Sequence, residues 1–426
     1  MKLNLPRIRQ SASRGLAALT LVLAAPLAQA AYFQWEMVEL PASSGASCGN
    51  GTPYRFFVNR TFLNRDVMVM YEGGGACWDQ NSCEGKGSLS ASNPNGIPAD
   101  YMSNTNYMPA GGLVTPFTSR SDPFQSVRTQ GWNLVYLPYC TGDVHTGNKL
   151  RVYDDANPAA PRVQYHRGQA NVRAASQWIR NNMGRPNQLL MTGFSAGGVG
   201  SSATYALARD ILAPSGRASL LADSGPLMPA PRTGSPAQFP SVPMHNTIRA
   251  AWGLDEPGGL ISTYATLPGF DTNDLGTVAK AMAKRYPADR FGYVVFGADG
   301  IFSAFSYAKF YADIAAEPDA NLRKQRTLAR WQHDIAQWLP QLATEANIAW
   351  HVPYFRNFNS SHCLTIVDFS NTFIEDKKVG GLSVFLDNTL DRGTPMRNQE
   401  MDQVSDLSRP DSFAMGLLKL IQAIWG

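Results

Sequence analysis

Apolar residues along this chain fall into short blocks that stop at glycine or at an acidic residue. "VMVMY" (67–71) runs into "EGGGACW", and the apolar run at 132–139 in "GWNLVYLPYCTGD" ends in the same way. Each predicts a buried strand followed by a backbone-rich loop. Residues 168–183, "GQANVRAASQWIRNNM", instead place Val172, Ala175, Ile179 and Met183 at helical spacing. "NQLLMTG" predicts a further strand. "GGVGSSATYALARDIL" predicts a helix with Ala203, Ala206, Leu207 and Ile211 on one face, and "RASLLADSG" a strand ending at Asp223. Strand-like runs resume at "FGYVVFGADG" and "NIAWHVPYF". "DSFAMGLLKLIQAIWG" predicts a closing helix, capped by Asp or Ser, with Phe413, Leu417, Leu420, Ile421 and Ile424 on its apolar face.

Strands alternating with helices predict an α/β fold: a mostly parallel sheet covered by helices on both faces. Between about 226 and 290 the alternation breaks into Pro- and Gly-rich stretches, of which "PLMPAPRTGSPAQFPSVP" is the clearest. This segment reads as a loop-rich cap inserted over the sheet. There is no internal repeat and no low-complexity tract.

The first thirty residues stand apart. Lys2, Arg7, Arg9 and Arg14 precede the apolar "GLAALTLVLAAPLA", and Ala28-Gln29-Ala30 offers the small residues that a signal peptidase requires. We therefore expect a cleaved export signal over 1–30, a mature start at Ala31, and one catalytic domain over 31–426. The charge balance changes accordingly. The full chain carries 37 basic against 33 acidic residues, and losing the four cations of the signal leaves 33 against 33. A neutral mature chain offers no electrostatic case for nucleic acid. No later apolar run is long enough to span a membrane.

Five cysteines, Cys48, Cys77, Cys83, Cys140 and Cys363, suit an oxidising compartment, and their odd number leaves at least one unpaired within a monomer. None shows CxxC spacing and no histidine cluster accompanies them, so a zinc site is not expected. Cys77 and Cys83 bracket "CWDQNSC" and are able to staple it; the pairing stays open at this level.

The chemistry centres on "TGFSAGGVGS". Ser195 stands in G-F-S-A-G, the G-x-S-x-G pattern of a nucleophile on a sharp strand-to-helix turn. Such a serine needs a base, an orienter for that base, and donors for an oxyanion. Of six histidines, His166 and His333 read as surface residues in or beside helices. His245 lies in the Pro-rich insertion and His351 inside a strand. His145, in the loop "TGDVHTG", precedes the serine. His362, in "NFNSSHCLTI" directly after the last strand, fits the chain order Ser…Asp…His. Asp299, at the end of "GYVVFGADG", is the preferred acid. Asp223 is its rival, but follows Ser195 too closely and better suits a structural turn or cap. The "EGGGA" loop offers two backbone N–H donors and Ala196 a third.

Taken together, "YEGGGACW…C", "LPYCTGDVHTG", "TGFSAGGVGS", "DSGPL", "FGADGIFS" and "SSHCLT" resemble the pectin acetylesterase and Notum carboxylesterase family, from about Cys48 to about Ser370. The resemblance implies an α/β-hydrolase-like fold and a catalytic triad of Ser195, Asp299 and His362. It implies oxyanion donors at Gly74, Gly75 and Ala196, and disulfides Cys77–Cys83 and Cys48–Cys140 that leave Cys363 free. The chain departs from the family at Ala76, where an aromatic residue is frequent, and in the insertion after Asp223.

The expectation is thus an exported serine carboxylesterase whose acyl-enzyme route needs no metal and no organic cofactor. Its substrates would be short acyl esters, acetyl above all, on a polysaccharide such as pectin. Three alternatives stay open: a serine esterase for longer fatty-acyl esters, a non-catalytic glycan- or lipid-binding protein on a hydrolase scaffold, and a serine peptidase.

Overall fold

The computed structural model describes residues 32–103, 115–120, 125–374 and 377–400, together with Gly416. The expected export signal and, Gly416 apart, the expected closing helix lie outside the described residues. The strands are β1 (Trp35–Glu39), β2 (Arg55–Asn59), β3 (Val67–Tyr71), β4 (Asn133–Leu137), β5 (Lys149–Tyr153), β6 (Arg162–His166), β7 (Leu189–Phe194), β8 (Ala218–Asp223), β9 (Arg290–Val294), β10 (Ile348–Val352) and β11 (Arg397–Gln399). Nine of them form one sheet in the order β1-β2-β4-β3-β7-β8-β9-β10-β11, and β5 and β6 pair separately. From β4 to β11 every pairing is parallel, whereas β1/β2 and β2/β4 are antiparallel.

All residues of β3, β4, β7, β8, β9 and β10 are buried. That explains their unbroken apolar runs, because a parallel strand is covered on both faces. The helices supply the cover: α1 (Gln80–Cys83), α2 (Gly168–Met183), α3 (Ala196–Ala203), α4 (Tyr205–Leu212), α5 (Val242–Trp252), α6 (Leu260–Tyr264), α7 (Val278–Arg285), α8 (Gly300–Tyr307), α9 (Ala312–Ala315), α10 (Ala320–Leu342) and α11 (Leu382–Asp391). Of these, α3 packs on β7 and β8, and α11 on β8 and β9. In α2 the expected face is the buried one: Val172, Ala175 and Ile179 are sealed and Met183 packs against the core.

The helix expected after Ser195 is two helices. Thr204 caps α3, and its hydroxyl bonds back to the Gly200 carbonyl at 2.6 Å, a contact that bends or breaks helices. The buried side of α4 is therefore Tyr205, Ala206, Ala208 and Leu212, while Leu207 and Ile211 are only half-buried. The insertion expected over 226–290 contains α5, α6 and α7. Periodicity gave no warning of the β1–β2 pair, of the β5–β6 hairpin, or of the long α10.

Strand order reverses around β3: the chain leaves β3 for β4 on one side and returns to β7 on the other. A crevice forms outside the carboxyl ends of the strands at such a switch point. Tyr71, the last residue of β3, lies opposite Gly193 of β7, so the segments that follow both strands open into one crevice.

Candidate active site

Ser195 occupies the single step between β7 and α3, with φ 56° and ψ −124°. That backbone is strained for a residue with a side chain, and persists where the surroundings enforce it. The Ser195 N–H donates to the Asp223 carbonyl of β8 at 2.9 Å, and its carbonyl accepts from Val199 N–H of α3. Crowding explains Gly197, since a Cβ there would strike the carbonyl of Tyr71. Ser195 is partly open, amid buried neighbours, at the N-terminus of α3, where the helix field favours negative charge.

His362 and Asp299 meet at 2.8 Å, Nδ1 to Oδ2. The segments after β9 and β10 are zipped together by Gly297 N–H to Pro353 C=O and Ala298 N–H to Tyr354 C=O, both 2.9 Å. Asp299 also caps α8: its Oδ1 accepts from Ile301 and Phe302 N–H at 3.0 and 2.8 Å, which fixes the carboxylate plane. His362 Nε2 is buried with no hydrogen-bond partner. Ser195 and His362 line the same pocket, but no hydrogen bond joins them among the described residues. Catalytic hydrogen bonds are frequently long or misaligned before substrate binds.

Asp223 holds the histidine loop instead of the histidine. Its carboxylate accepts from Leu364 N–H (2.9 Å), Thr365 N–H (2.8 Å) and the Thr365 hydroxyl (2.6 Å). Next to it the Ser224 hydroxyl accepts from Cys363 N–H. Arg356, fully buried, donates to the carbonyls of Cys363 and Asp368, and burial pulls its guanidinium down to about 10. These braces hold a loop in which Asn359, Ser360, Ser361 and Cys363 all have positive φ. Sequence reading assigned Asp223 a turn or cap but gave no role to Ser224, although it stands in "DSGPL", and missed Arg356, which carries no motif.

The loop after β3 lies beside the serine. Gly74 and Gly75 adopt φ 140° and 70°, and their N–H groups donate to no acceptor among the described residues. The Gly74 carbonyl accepts from Ser92 N–H at 2.8 Å. Beneath the loop, Glu72 is buried. Its carboxyl accepts from Tyr101 Oη (2.6 Å) and Tyr139 N–H (2.8 Å), and desolvation pushes it up to about 7. His145 Nε2 lies 2.9 Å from the Glu72 carbonyl. Burial lowers His145 to about 4, so the ring is neutral and Nε2 donates. The disulfides are Cys48–Cys140 and Cys77–Cys83, and Cys363 is a buried free thiol. Cys77, Cys83 and His166 lie close enough to share a metal ion, but the two sulfurs are already joined to each other.

The other histidines sit apart from the His362–Asp299 pair. His333 is exposed, as expected. His166 is not a surface residue: it ends β6, fully buried, with Tyr153 Oη 3.0 Å from Nε2 and the Thr141 carbonyl 3.1 Å from Nδ1. The correction has a local cause, since β6 pairs with β5 and turns His166 inward against Trp252. His351 is packed inside β10. His245 is buried on α5 and lines a pocket that Ser195 also lines.

Two recesses open from Ser195. One is a narrow apolar slot walled by Trp78, Met244, Ile248, Trp252, Phe302 and Phe305, with about 50 Å³ of room at the scale of a water molecule. The other, about 170 Å³, runs along Gly73–Gly75 to His362 and Asn359. The 226–290 segment thus contributes Pro226, Leu227 and α5 to the slot wall.

A mostly parallel sheet with this strand order and with helices on both faces makes the protein α/β-hydrolase-like. The pectinacetylesterase family model matches residues 27–244, just over half of the chain, and the chain belongs to that family. It is accordingly an esterase-type hydrolase by family. Among curated relatives it is similar to an inactive palmitoleoyl-protein carboxylesterase, notum1b, of Danio rerio. Identity there is 24% over 26% of this chain and 73% of the relative. It is similar also to the palmitoleoyl-protein carboxylesterase NOTUM of Mus musculus, 24% identical over 44% of this chain, and to that of Schmidtea mediterranea, 21% identical over 40%. The matched regions span only 35% and 29% of those two proteins. Among solved structures, the Wnt deacylase Notum from Drosophila superposes with a TM-score of 0.54 at 16% identity, covering 87% of this chain and 97% of its own. That likeness concerns the fold.

Proposed function

We propose that this protein is an exported serine carboxylesterase acting on short acyl esters, acetyl esters of a polysaccharide such as pectin foremost. Residues 1–30 would be the cleaved signal and 226–290 a cap over the site. The observation that carries the reading is the 2.8 Å His362–Asp299 contact, with His362 lining a pocket that Ser195 also lines.

In this mechanism His362 Nε2 takes the Ser195 hydroxyl proton as Oγ attacks the ester carbonyl carbon. The carbonyl oxygen becomes an oxyanion held by the N–H groups of Gly74, Gly75 and Ala196. Asp299 keeps the imidazole in the Nδ1–H form and stabilises the imidazolium. Collapse of the intermediate breaks the bond to the alcohol oxygen, which leaves with the proton from His362. Water, deprotonated by His362, then attacks the acyl-enzyme; the bond to Ser195 Oγ breaks, Oγ recovers the proton from His362, and the acid is released. No step calls for a metal or an organic cofactor.

The reading is supported by an unpartnered His362 Nε2, by unengaged donors at Gly74 and Gly75, and by a family whose members are named for ester hydrolysis. Fluorophosphonate labelling, located by peptide mapping, tests it alongside hydrolysis of p-nitrophenyl acetate and release of acetate from acetylated pectin. Labelling at Ser195 with turnover of these esters is the expected result. A folded protein that neither labels nor turns over any ester would instead be a binding protein on a hydrolase scaffold.

A further inference from the structure

The slot beside Ser195 holds a polar group that the mechanism does not use. His245, one turn into α5, lines the slot and is only 2% exposed. Its Nδ1 is sealed from water without a partner, and neither ring nitrogen bonds to any described residue. Desolvation, helped by the charge on Arg249, lowers it to about 3, so the ring is neutral near pH 7. The slot it shares with Ser195 is otherwise walled chiefly by apolar side chains, among them Met244, Ile248, Trp252, Phe302 and Phe305. Trp252 Nε1, the one polar atom among them, is spent on the Cys77 carbonyl at 2.8 Å.

Resting on the esterase reading, we propose that the slot is the acyl pocket and that His245 restricts it to short acyl groups. A neutral imidazole has one donor and one acceptor, and burying either unpaired is unfavourable. The room in the slot suffices for a few waters, each of which needs a polar anchor of the kind that His245 supplies. An acetyl group on Ser195 fills only the mouth and leaves that hydration in place. A long alkyl chain expels it and sets methylenes against Nε2, the ring nitrogen that is not already sealed. An apolar wall by itself would favour longer chains, because each buried methylene adds to binding. His245 therefore opposes a preference that its neighbours create. It is a specificity-determining residue, distinct from the groups that move protons.

The test uses the full chain and kcat/KM for p-nitrophenyl acetate and p-nitrophenyl octanoate in wild type, His245→Leu and His245→Asn. Leucine has nearly the bulk of the ring but nothing to leave unpaired. Asparagine is smaller than the ring but returns a donor and an acceptor. The octanoate-to-acetate ratio should rise at least about tenfold in His245→Leu, equivalent to about 1.4 kcal/mol, and stay within about threefold of wild type in His245→Asn. An unchanged ratio in His245→Leu overturns the proposal, and so does an equal rise in both variants, because the donor and acceptor that asparagine keeps would then make no difference. If His245→Leu does not fold, wild type decides, because a wild-type preference for octanoate is incompatible with the assigned role. These outcomes are separate from failure of the esterase reading, in which wild type would neither label at Ser195 nor hydrolyse either ester.

Discussion

The imidazole of His362 and the carboxylate of Asp299 lie 2.8 Å apart although 63 residues separate them in the chain. Asp223, the nearer strand-end carboxylate to Ser195, bonds instead to Leu364 and Thr365. Asp299→Asn should keep the cap on α8 through its remaining oxygen, yet it favours the wrong histidine tautomer. A loss of roughly 10⁴ in kcat is expected, with the melting temperature little changed. Asp223→Asn should act mainly on stability, because an amide cannot accept all three hydrogen bonds. Kinetics and melts of the two variants check the ranking, and a larger catalytic loss in Asp223→Asn would exchange their roles.

Ser195→Ala is expected to reduce kcat by about 10⁶, as in triads that act as one unit. Alanine has the same backbone cost at φ 56° and takes part in the same main-chain hydrogen bonds, so folding should be preserved. Residual activity near a tenth of wild type in a folded variant would remove Ser195 from the mechanism.

The two disulfides should separate stability from catalysis. Cys48–Cys140 spans 92 residues and, by loop-closure entropy, contributes about 4–5 kcal/mol, whereas Cys77–Cys83 spans 6 and contributes about 2 kcal/mol. Replacing Cys48 and Cys140 by Ser should therefore give the greater loss of melting temperature. Replacing Cys77 and Cys83 should fall harder on kcat/KM, because that bridge closes the segment directly after Gly74 and Gly75. A double variant at 77 and 83 with full activity per folded molecule would make the pair a structural clamp only.

Glu72 gives the loop after β3 a pH signature. An ordinary glutamate titrates near 4.5, and burial pushes Glu72 up to about 7. Between those values the folded chain keeps a proton that the unfolded chain has released. The stabilisation is thus complete below about pH 4.5 and lost as pH rises through about 7. Glu72→Gln cannot titrate, so relative to wild type it should gain on the order of 1–3 kcal/mol between pH 4.5 and pH 8. Paired denaturant melts at the two pH values measure the difference. A gap between the proteins that does not move with pH would refute it.

Much of the architecture was legible in the chain alone, for a reason that is local. A strand buried on both faces must be apolar throughout, so β3, β4, β7, β8, β9 and β10 announce themselves, and the glycines after β3 and around Ser195 mark where backbones crowd. The exchange of Leu207 and Ile211 for Tyr205 and Ala208 as buried residues of α4 was not legible, because one hydroxyl, that of Thr204, bends the chain against its Gly200 carbonyl. The histidines show the limit most clearly. His166 reads as a surface residue and His245 stands in a Pro-rich segment, yet both are buried. Pairing of β6 with β5 and packing on Trp252 enclose the first, while α5 lays the second against the slot beside Ser195. Periodicity reports which face of a segment avoids water. Whether a polar side chain on that segment finds a partner, a substrate or nothing depends on which other segments fold over it, and that only the tertiary structure decides.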